Sequence, residues 1–543
     1  MNERTIETQQ EDSSANPSVA RSTLLMSVAT LGSRATGLIR TWVMAFVLGN
    51  TLITSAYQVA NNMPNVIYEL TAGGLLAAAF IPVYLLQKEK FGAEEGNEFA
   101  CTVLNLAIIV LGVLSVLATI FSPQVIATQT FTVDDTAQVT VYAVLFFRIF
   151  AAQIVFYGIG GVITGILNAN RVYFLPSLAP ALNNIVVIVA FILYGVIEPS
   201  NPMLALIVLA AGTTLGVVVQ FVIQIPAMHK IGFRWKLKVN LHDPALIEAV
   251  KIAIPTFVYI VGTMVAFSCR NAFSLQAGDN GPSTLIYAWT WYQLPHGVVA
   301  VSLSRALFTE LSEAAAIEDW STFRTHVKSG ISGTLLLIIP LAGLMAVFSQ
   351  PIMQLFQAGA FDEGDVAYVA SILALWVVSM PFYSVHMYLY NVFASMRKFL
   401  VFAAVSCGMV IVQCVLYAVL CRPELLALSG VPIADLVYYG VCCVIMLVIL
   451  RKLIGSYDIK GILWMAVRVL IATFIGMAVG AGILTLLSSV FSSGGIISGL
   501  IELCVGGIIG LIVIFALCAL FRIPEMSIVT NILSKLTAKL KRS

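Results

Sequence analysis

From residue 23 to residue 521 the chain is a succession of apolar runs of twenty or more residues, parted by short polar breaks. A helix rises 1.5 Å per residue, so about 20 residues cross the roughly 30 Å hydrocarbon layer of a bilayer. With 59% hydrophobic residues, only 10% charged and a mean hydropathy of +0.96, the 543-residue chain lacks the charge that coats a soluble surface. A soluble protein is about a quarter charged. The expected fold class is an all-α polytopic membrane protein. A soluble enzyme, a nucleic-acid binder and a disordered scaffold are poor fits, and 29 Lys+Arg against 27 Asp+Glu is too balanced to call for a polyanion.

Fourteen transmembrane helices are expected, near 23–48, 56–86, 99–122, 138–165, 174–196, 202–228, 247–270, 283–304, 331–349, 366–392, 399–421, 429–450, 462–488 and 495–521. Lys and Arg are retained on the cytoplasmic side. With the N-terminus inside, the even-numbered gaps should be basic. They hold Lys88 and Lys90, Arg171, Lys230 to Lys238, Arg324 and Lys328, Arg397 and Lys398, then Arg451, Lys452 and Lys460. The opposite loops carry Asp134, Asp135, Glu198, Asp279, Asp362, Glu363 and Asp365, with Arg270 and Arg422 the only bases. A wrong count would scramble this alternation, so both termini are expected in the cytoplasm.

Chemistry of the catalytic kind is not visible. The nine cysteines lie in or beside apolar runs with no CxxC pair, and the five histidines form no HxxxH or HExxH. Packing residues are the simpler reading, with no metal site.

The chain repeats itself. Gly32 precedes Arg40 by eight residues and Gly262 precedes Arg270 by eight; Pro64 matches Pro295; Phe156-Tyr157 precedes Arg171 as Phe382-Tyr383 precedes Arg397. The offsets are 230, 231 and 226, six helices apart. Two pseudo-symmetric six-helix lobes are expected, related by an axis along the membrane normal, plus two C-terminal helices. The expected divisions are a disordered tail 1–21, an N-lobe 22–229, a C-lobe 246–421 and 429–452, a lipid-tail groove 462–521 and a basic amphipathic tail 522–543 with Lys535, Lys539, Lys541 and Arg542.

Arginine inside a span is costly and marks a water-filled cavity, a partner or a substrate. Arg34, Arg40 and Arg148 stand in the first lobe against one acid, Glu69, and Arg270 stands at the outer end of span seven. The guanidinium fork suits phosphate oxygens, so these four are candidates for binding an anion in a cavity. The bland alternative pairs Arg34 with Glu69. Arg468 is expected to snorkel from the end of span thirteen. Gly73, Gly74, Pro64 and Pro295 are candidate hinges or close-packing points, with Glu69 facing the cavity.

Residues Ser33-Arg34-Ala35-Thr36-Gly37-Leu38-Ile39-Arg40, Ala60 to Leu70, Ala79-Phe80-Ile81-Pro82, Asn170-Arg171, Asn183-Asn184, Tyr292 to Val298 and Leu355 to Phe361 together resemble the MurJ/MviN family of bacterial lipid II flippases. That family belongs to the superfamily that also holds the drug-exporting MATE proteins, and the Tyr68-Glu69-Leu70 variant resembles an actinobacterial branch. The resemblance covers about residues 22–520. It implies a transporter, not an enzyme, that moves undecaprenyl-pyrophosphate-linked peptidoglycan precursor across the bacterial plasma membrane by alternating access. It also implies that Arg34 and Arg40 meet the pyrophosphate. Three positions depart from the family pattern: Ser55 replaces an acid, Tyr68-Glu69 an arginine pair and Thr290 an arginine. No cofactor is implied. A coupling ion or the membrane potential would supply energy, and the partners are lipid II, membrane lipids and cell-wall synthesis and division proteins. A flippase for another lipid-linked glycan, a MATE-like cation/drug antiporter and a scaffold are the competing readings.

Overall fold

The structure, a computed structural model, describes residues 17–73, 79–240, 244–490, 495–527, 529, 530 and 534. Gly74, His242, most of the expected N-terminal tail and the basic residues Lys535, Lys539, Lys541 and Arg542 lie outside the described residues. Helix begins at Pro17, inside the range expected to be tail.

All regular structure among the described residues is helical. The first expected span is α1 (Pro17–Leu48); the second is α2 (Leu52–Tyr68), a π-helical turn Glu69–Gly73 and α3 (Ile81–Phe91). The third is α4 (Ala93–Ile120), followed by the short α5 (Ser122–Thr130). The fourth is broken into α6 (Gln138–Phe150) and α7 (Gln153–Ala169), bent by 47°. Then come α8 (Phe174–Ile197), α9 (Pro202–Val222) with α10 (Ile225–Lys230), and α11 (Pro244–Ala277). The eighth comprises α12 (Gly281–Pro295), a π-helical turn His296–Ala300 and α13 (Val301–Ala316). The remainder are α14 (Trp320–Val347) with α15 (Ser349–Gln354), α16 (Glu363–Trp376) with α17 (Met380–Ser395), α18 (Phe399–Leu420), α19 (Gly430–Ile454), α20 (Ile459–Val490) and α21 (Ile496–Leu520).

Ten of these spans are long and apolar enough to cross a bilayer, and the bent α6–α7 pair makes eleven. The chain is a multi-pass membrane protein. The three remaining stretches are helical but differ in kind. α1 carries Arg34 and Arg40, and the second and eighth are interrupted by their π-helical turns. Both interruptions follow a proline, Pro64 or Pro295. The N–H that a proline lacks would bond four residues upstream, so neither proline by itself makes the turn that follows it, and π-turns inside helices concentrate at functional positions.

Side-chain caps set several helix ends. Asn201 accepts from the Leu204 N–H at 3.1 Å with Pro202 in the first turn, and Asp319 accepts from Ser321 and Thr322, both at 3.1 Å. The acidic-loop residue Asp362 caps α16 through the Asp365 N–H at 2.9 Å. Arg171 and Arg397 occupy matching left-handed positions, φ 61° and 57°, after α7 and α17. In each case the next residue returns an N–H to the helix, Val172 to Leu167 at 2.9 Å and Lys398 to Phe393 at 2.9 Å. Glu318 and Arg522 do the same, so this cap alone does not distinguish a repeat from ordinary helix termination.

Contacts divide the chain into two units: 1–44, 61–122 and 145–254, and 45–60, 123–144 and 255–543. The short stretches 45–60 and 123–144, inside the expected N-lobe range, pack with the second unit. Part of the reason is a clasp within that unit. Ala360 N–H donates to the Phe46 carbonyl at 2.8 Å, and Tyr287 OH donates to the Gly49 carbonyl at 2.9 Å. The buried Phe361 ring stands edge-on to Tyr287 at 5.1 Å. Gly49 and Gly359 have φ of 63° and 61°, and a Cβ on either would collide with the opposing carbonyl. The Leu355–Phe361 motif therefore has a packing role. Gly359→Ala combines left-handed strain of about 1–2 kcal/mol with that collision. The midpoint of thermal unfolding in detergent is expected to fall clearly, and an unchanged midpoint would remove the clasp from the account.

Candidate substrate cavity

In the first unit, Arg34 and Arg40 lie on α1 six residues apart, about 600° of rotation, which leaves them roughly 120° apart. Arg34 is exposed and Arg40 half-buried. Neither forms an ion pair among the described residues. The turn that carries Arg34 is held from α8: Asn184 Nδ2 donates to the Thr36 hydroxyl at 3.2 Å and to the Ser33 carbonyl at 3.3 Å. Gly37 faces Asn184 Nδ2 at ordinary van der Waals range, 3.5 Å from where a Cβ would stand. Asn184 is a positioning residue that motif reading named only as part of a pattern.

Glu69 opens the π-turn, half-buried, and its carboxylate folds over Gly73, where a Cβ would collide with it. It makes no ion pair with Arg34, so the pairing alternative is not what the structure shows. Pro64 is buried five residues before this turn. Arg148 stands in the last turn of α6, exposed, with its Nε donating to Ser122 Oγ at 3.1 Å. The break after it is satisfied locally, since Ser115 Oγ donates to the Ala151 carbonyl at 2.9 Å.

In the second unit, Arg270 is inside rather than on the rim. It lines a cavity of about 250 Å³ together with Trp289, Tyr383, His386, Gln413, Tyr417 and Asp435. Its guanidinium lies 5.3 Å from the Phe267 ring centre, 5.5 Å from Trp289 and 5.8 Å from Trp376. The buried Asp435 carboxylate accepts from Trp376 Nε1 at 2.8 Å, from Gln413 Nε2 at 2.8 Å and from Tyr417 OH. Pro295 ends α12, and His296 just beyond it bonds through Nδ1 to Ser384 Oγ at 3.0 Å. Three candidates, Arg34, Arg40 and Arg148, thus belong to one unit and Arg270 to the other. Asp435 was passed over in the sequence, although a lone acid inside the apolar run 429–450 is the kind of signal that flagged the arginines.

Arg468, expected to snorkel, has a partner at the end of span fourteen. Its Nη1 donates to the Phe521 carbonyl at 3.1 Å, at the end of α21, and its guanidinium lies 5.9 Å from the Trp464 ring. A cation at a helix C-terminus is well placed for the exposed carbonyls there.

The helical fold is shared with solved transporter structures. A multidrug resistance MATE family transporter in an inward-facing conformation shares it at 15% identity and TM-score 0.66, over 78% of this chain and 95% of that one. The structure described as "Lipid II flippase MurJ, inward closed conformation" aligns at TM-score 0.74 and 21% identity, over 92% of this chain and 98% of that one. Curated relatives include a probable lipid II flippase MurJ of Buchnera aphidicola subsp. Schizaphis graminum, 28% identical over 66% of this chain and 69% of its own. A second, from Borreliella burgdorferi, is 22% identical over 83% of this chain and 87% of its own. The family described as "Lipid II flippase MurJ" matches residues 44–506, and the chain belongs to it. Arg34 and Arg40 lie just before the matched stretch.

Proposed function

We propose that this chain moves lipid II from the inner to the outer leaflet of the bacterial plasma membrane by alternating access. The observation that carries the reading is the pair of guanidiniums on α1, Arg34 and Arg40, without an acidic partner among the described residues in a chain of this family. A pyrophosphate offers such groups paired oxygens in the geometry they prefer, and the prenyl tail needs no help in hydrocarbon. Arg148 adds positive charge in the same unit. Arg270 contributes less, because Asp435 shares its cavity. At about 250 Å³ that cavity is below the 300–1,000 Å³ of ordinary small-molecule sites, too small to hold a lipid-linked disaccharide-peptide. Energy comes from the membrane potential or an ion gradient, and α20 and α21 line the groove for the tail. Cell-wall synthesis and division proteins are the expected partners in the membrane.

The same reading has fourteen crossings, two pseudo-symmetric lobes and both termini in the cytoplasm. The π-turns after Pro64 and Pro295 support the repeat, since one local irregularity recurs at matching places. Single cysteines at Asp135 and Asp362 in a cysteine-free chain should react with an impermeant thiol reagent in whole cells. One at Lys236 should react only after lysis, and its labelling in intact cells would break the fourteen-span topology. The function is tested by depleting the protein and assaying the leaflet distribution of lipid II. Accumulation on the inner face supports the flippase; drug hypersensitivity with normal lipid II distribution assigns the chain to drug export.

A further inference from the structure

The stretch Arg234–Asn240, between α10 and α11, forms no helix but lies along α4, with a tight turn at Leu237 where the Lys238 N–H donates to the Lys236 carbonyl at 3.0 Å. Asn97, Cys101 and Asn105 recur every four residues on that helix, about 6 Å per step. Asn97 Nδ2 donates to the Arg234 carbonyl at 2.9 Å, and Asn105 Nδ2 donates to the Lys236 and Lys238 carbonyls at 2.8 and 2.9 Å. The Lys236 N–H reaches Cys101 Sγ at 3.4 Å. Lys236 Nζ pairs with Glu94 at 3.1 Å, and Lys238 with Glu98.

The other alternation points away from the helix. Trp235, Leu237 and Val239 are 57%, 83% and 40% exposed. The indole is not left polar, because its Nε1 donates to Asn105 Oδ1 at 2.8 Å. The row of clamping residues continues along α4 to Ile109 and Val113, exposed at 52% and 56% on a helix apolar enough to cross a bilayer. Asn97 stands two residues before the apolar run that begins at Phe99, and Asn105 six residues into it, about 9 Å. The segment therefore covers the polar foot of a lipid-facing row at the depth where hydrocarbon begins.

We propose that Arg234–Asn240 is an interfacial strap whose Trp235, Leu237 and Val239 enter the lipid of the leaflet on the basic side, while Asn97, Cys101 and Asn105 satisfy its backbone. The strap stays at headgroup depth, where water reaches the backbone groups of its outer edge, since hydrocarbon tolerates none unpaired. The helix side chains supply partners to one edge, the lysines reach back to Glu94 and Glu98 at the aqueous end, and tryptophan is the residue favoured at such boundaries.

The test uses the full chain in nanodiscs of phosphatidylethanolamine and phosphatidylglycerol, with every cysteine but the buried Cys101 replaced. A nitroxide at Leu237→Cys is compared with one at Lys230→Cys. Collision with oxygen relative to a water-soluble nickel chelate should rise roughly tenfold at 237, the direction expected on entering hydrocarbon. Strong nickel collision there would place the face in water, and shielding from both reagents would mean another polypeptide covers it; either overturns the proposal. In Asn105→Leu, which removes the clamp and keeps the strap sequence, nickel collision at 237 should increase several-fold through loss of the backbone partners. An unchanged profile in that variant would overturn the clamp.

Discussion

Arg34→Ala and Arg40→Ala, made singly, are each expected to abolish complementation of a flippase-depleted strain while protein abundance stays near normal. If the proposed pyrophosphate binding holds, each change removes a charge-assisted contact to a desolvated phosphate and leaves its oxygens unpaired, at a cost of roughly 2–4 kcal/mol. At about 1.4 kcal/mol per decade that is some thirtyfold to a thousandfold in affinity. Arg→Lys keeps the charge and loses the planar fork, so it should fall between wild type and alanine. The structure sharpens the control. Arg34 makes no ion pair with Glu69, so the Arg34→Ala/Glu69→Ala double variant should remain inactive. Recovery in the double variant would return Arg34 to a structural role, and full complementation by both single alanine variants would end the anion-binding account. Asn184→Ala, which frees the turn at Ser33–Thr36 without touching charge, should weaken complementation less than either arginine change.

The second large effect is expected at Asp435. Its carboxylate gathers Trp376 from α16, Gln413 and Tyr417 from α18 and stands on α19, with Arg270 of α11 in the same cavity. Asp435→Ala leaves the Trp376 and Tyr417 donors without an acceptor, leaves Gln413 Nε2 only the Tyr417 hydroxyl at 2.9 Å, and leaves Arg270 without its neighbouring negative charge. Removing one member of a buried charged network costs about 3–5 kcal/mol, well above a typical bond between membrane helices. The thermal midpoint in detergent should drop sharply, and Asp435→Asn, which keeps an acceptor, should fall between the two. If Arg270 and Asp435 balance each other, Arg270→Gln/Asp435→Asn should be less destabilised than the sum of the single changes. A wild-type midpoint for Asp435→Ala would mean that the network is not what joins these helices.

Much of this was legible in the sequence, and the reason is physical. Apolar length is a one-dimensional property, so the stretches that form α4, α8, α9, α18, α19, α20 and α21 could be read from residue order alone. So could the improbability of Arg34, Arg40, Arg148 and Arg270 as idle residues at membrane depth. Proline-bearing spans were legible as irregular, but a proline does not say what replaces the broken ladder. Only the backbone path shows the π-turns at Glu69–Gly73 and His296–Ala300.

Partnership between distant residues was not legible. Arg270 looked like the counterpart of Arg40, yet one has aromatic faces and a carboxylate within its cavity and the other has no ion pair among the described residues. Spacing along a chain records neither the rotation of one helix against another nor the acid a fourth helix brings. The bond from Arg468 to the Phe521 carbonyl was not legible either, because it depends on two helix ends meeting. Asn97 and Asn105, two polar residues at the foot of an apolar helix, made sense only once a segment about 130 residues away lay across them. The sequence by itself determined that this chain lives in a membrane, that its spans are helices and that it carries costly arginines, because hydrocarbon imposes those terms on each segment separately. The tertiary structure decided which charges are balanced, which turns are clamped and which polar atoms are covered, because hydrogen bonds and ion pairs depend on ångström distances between segments that residue order does not encode.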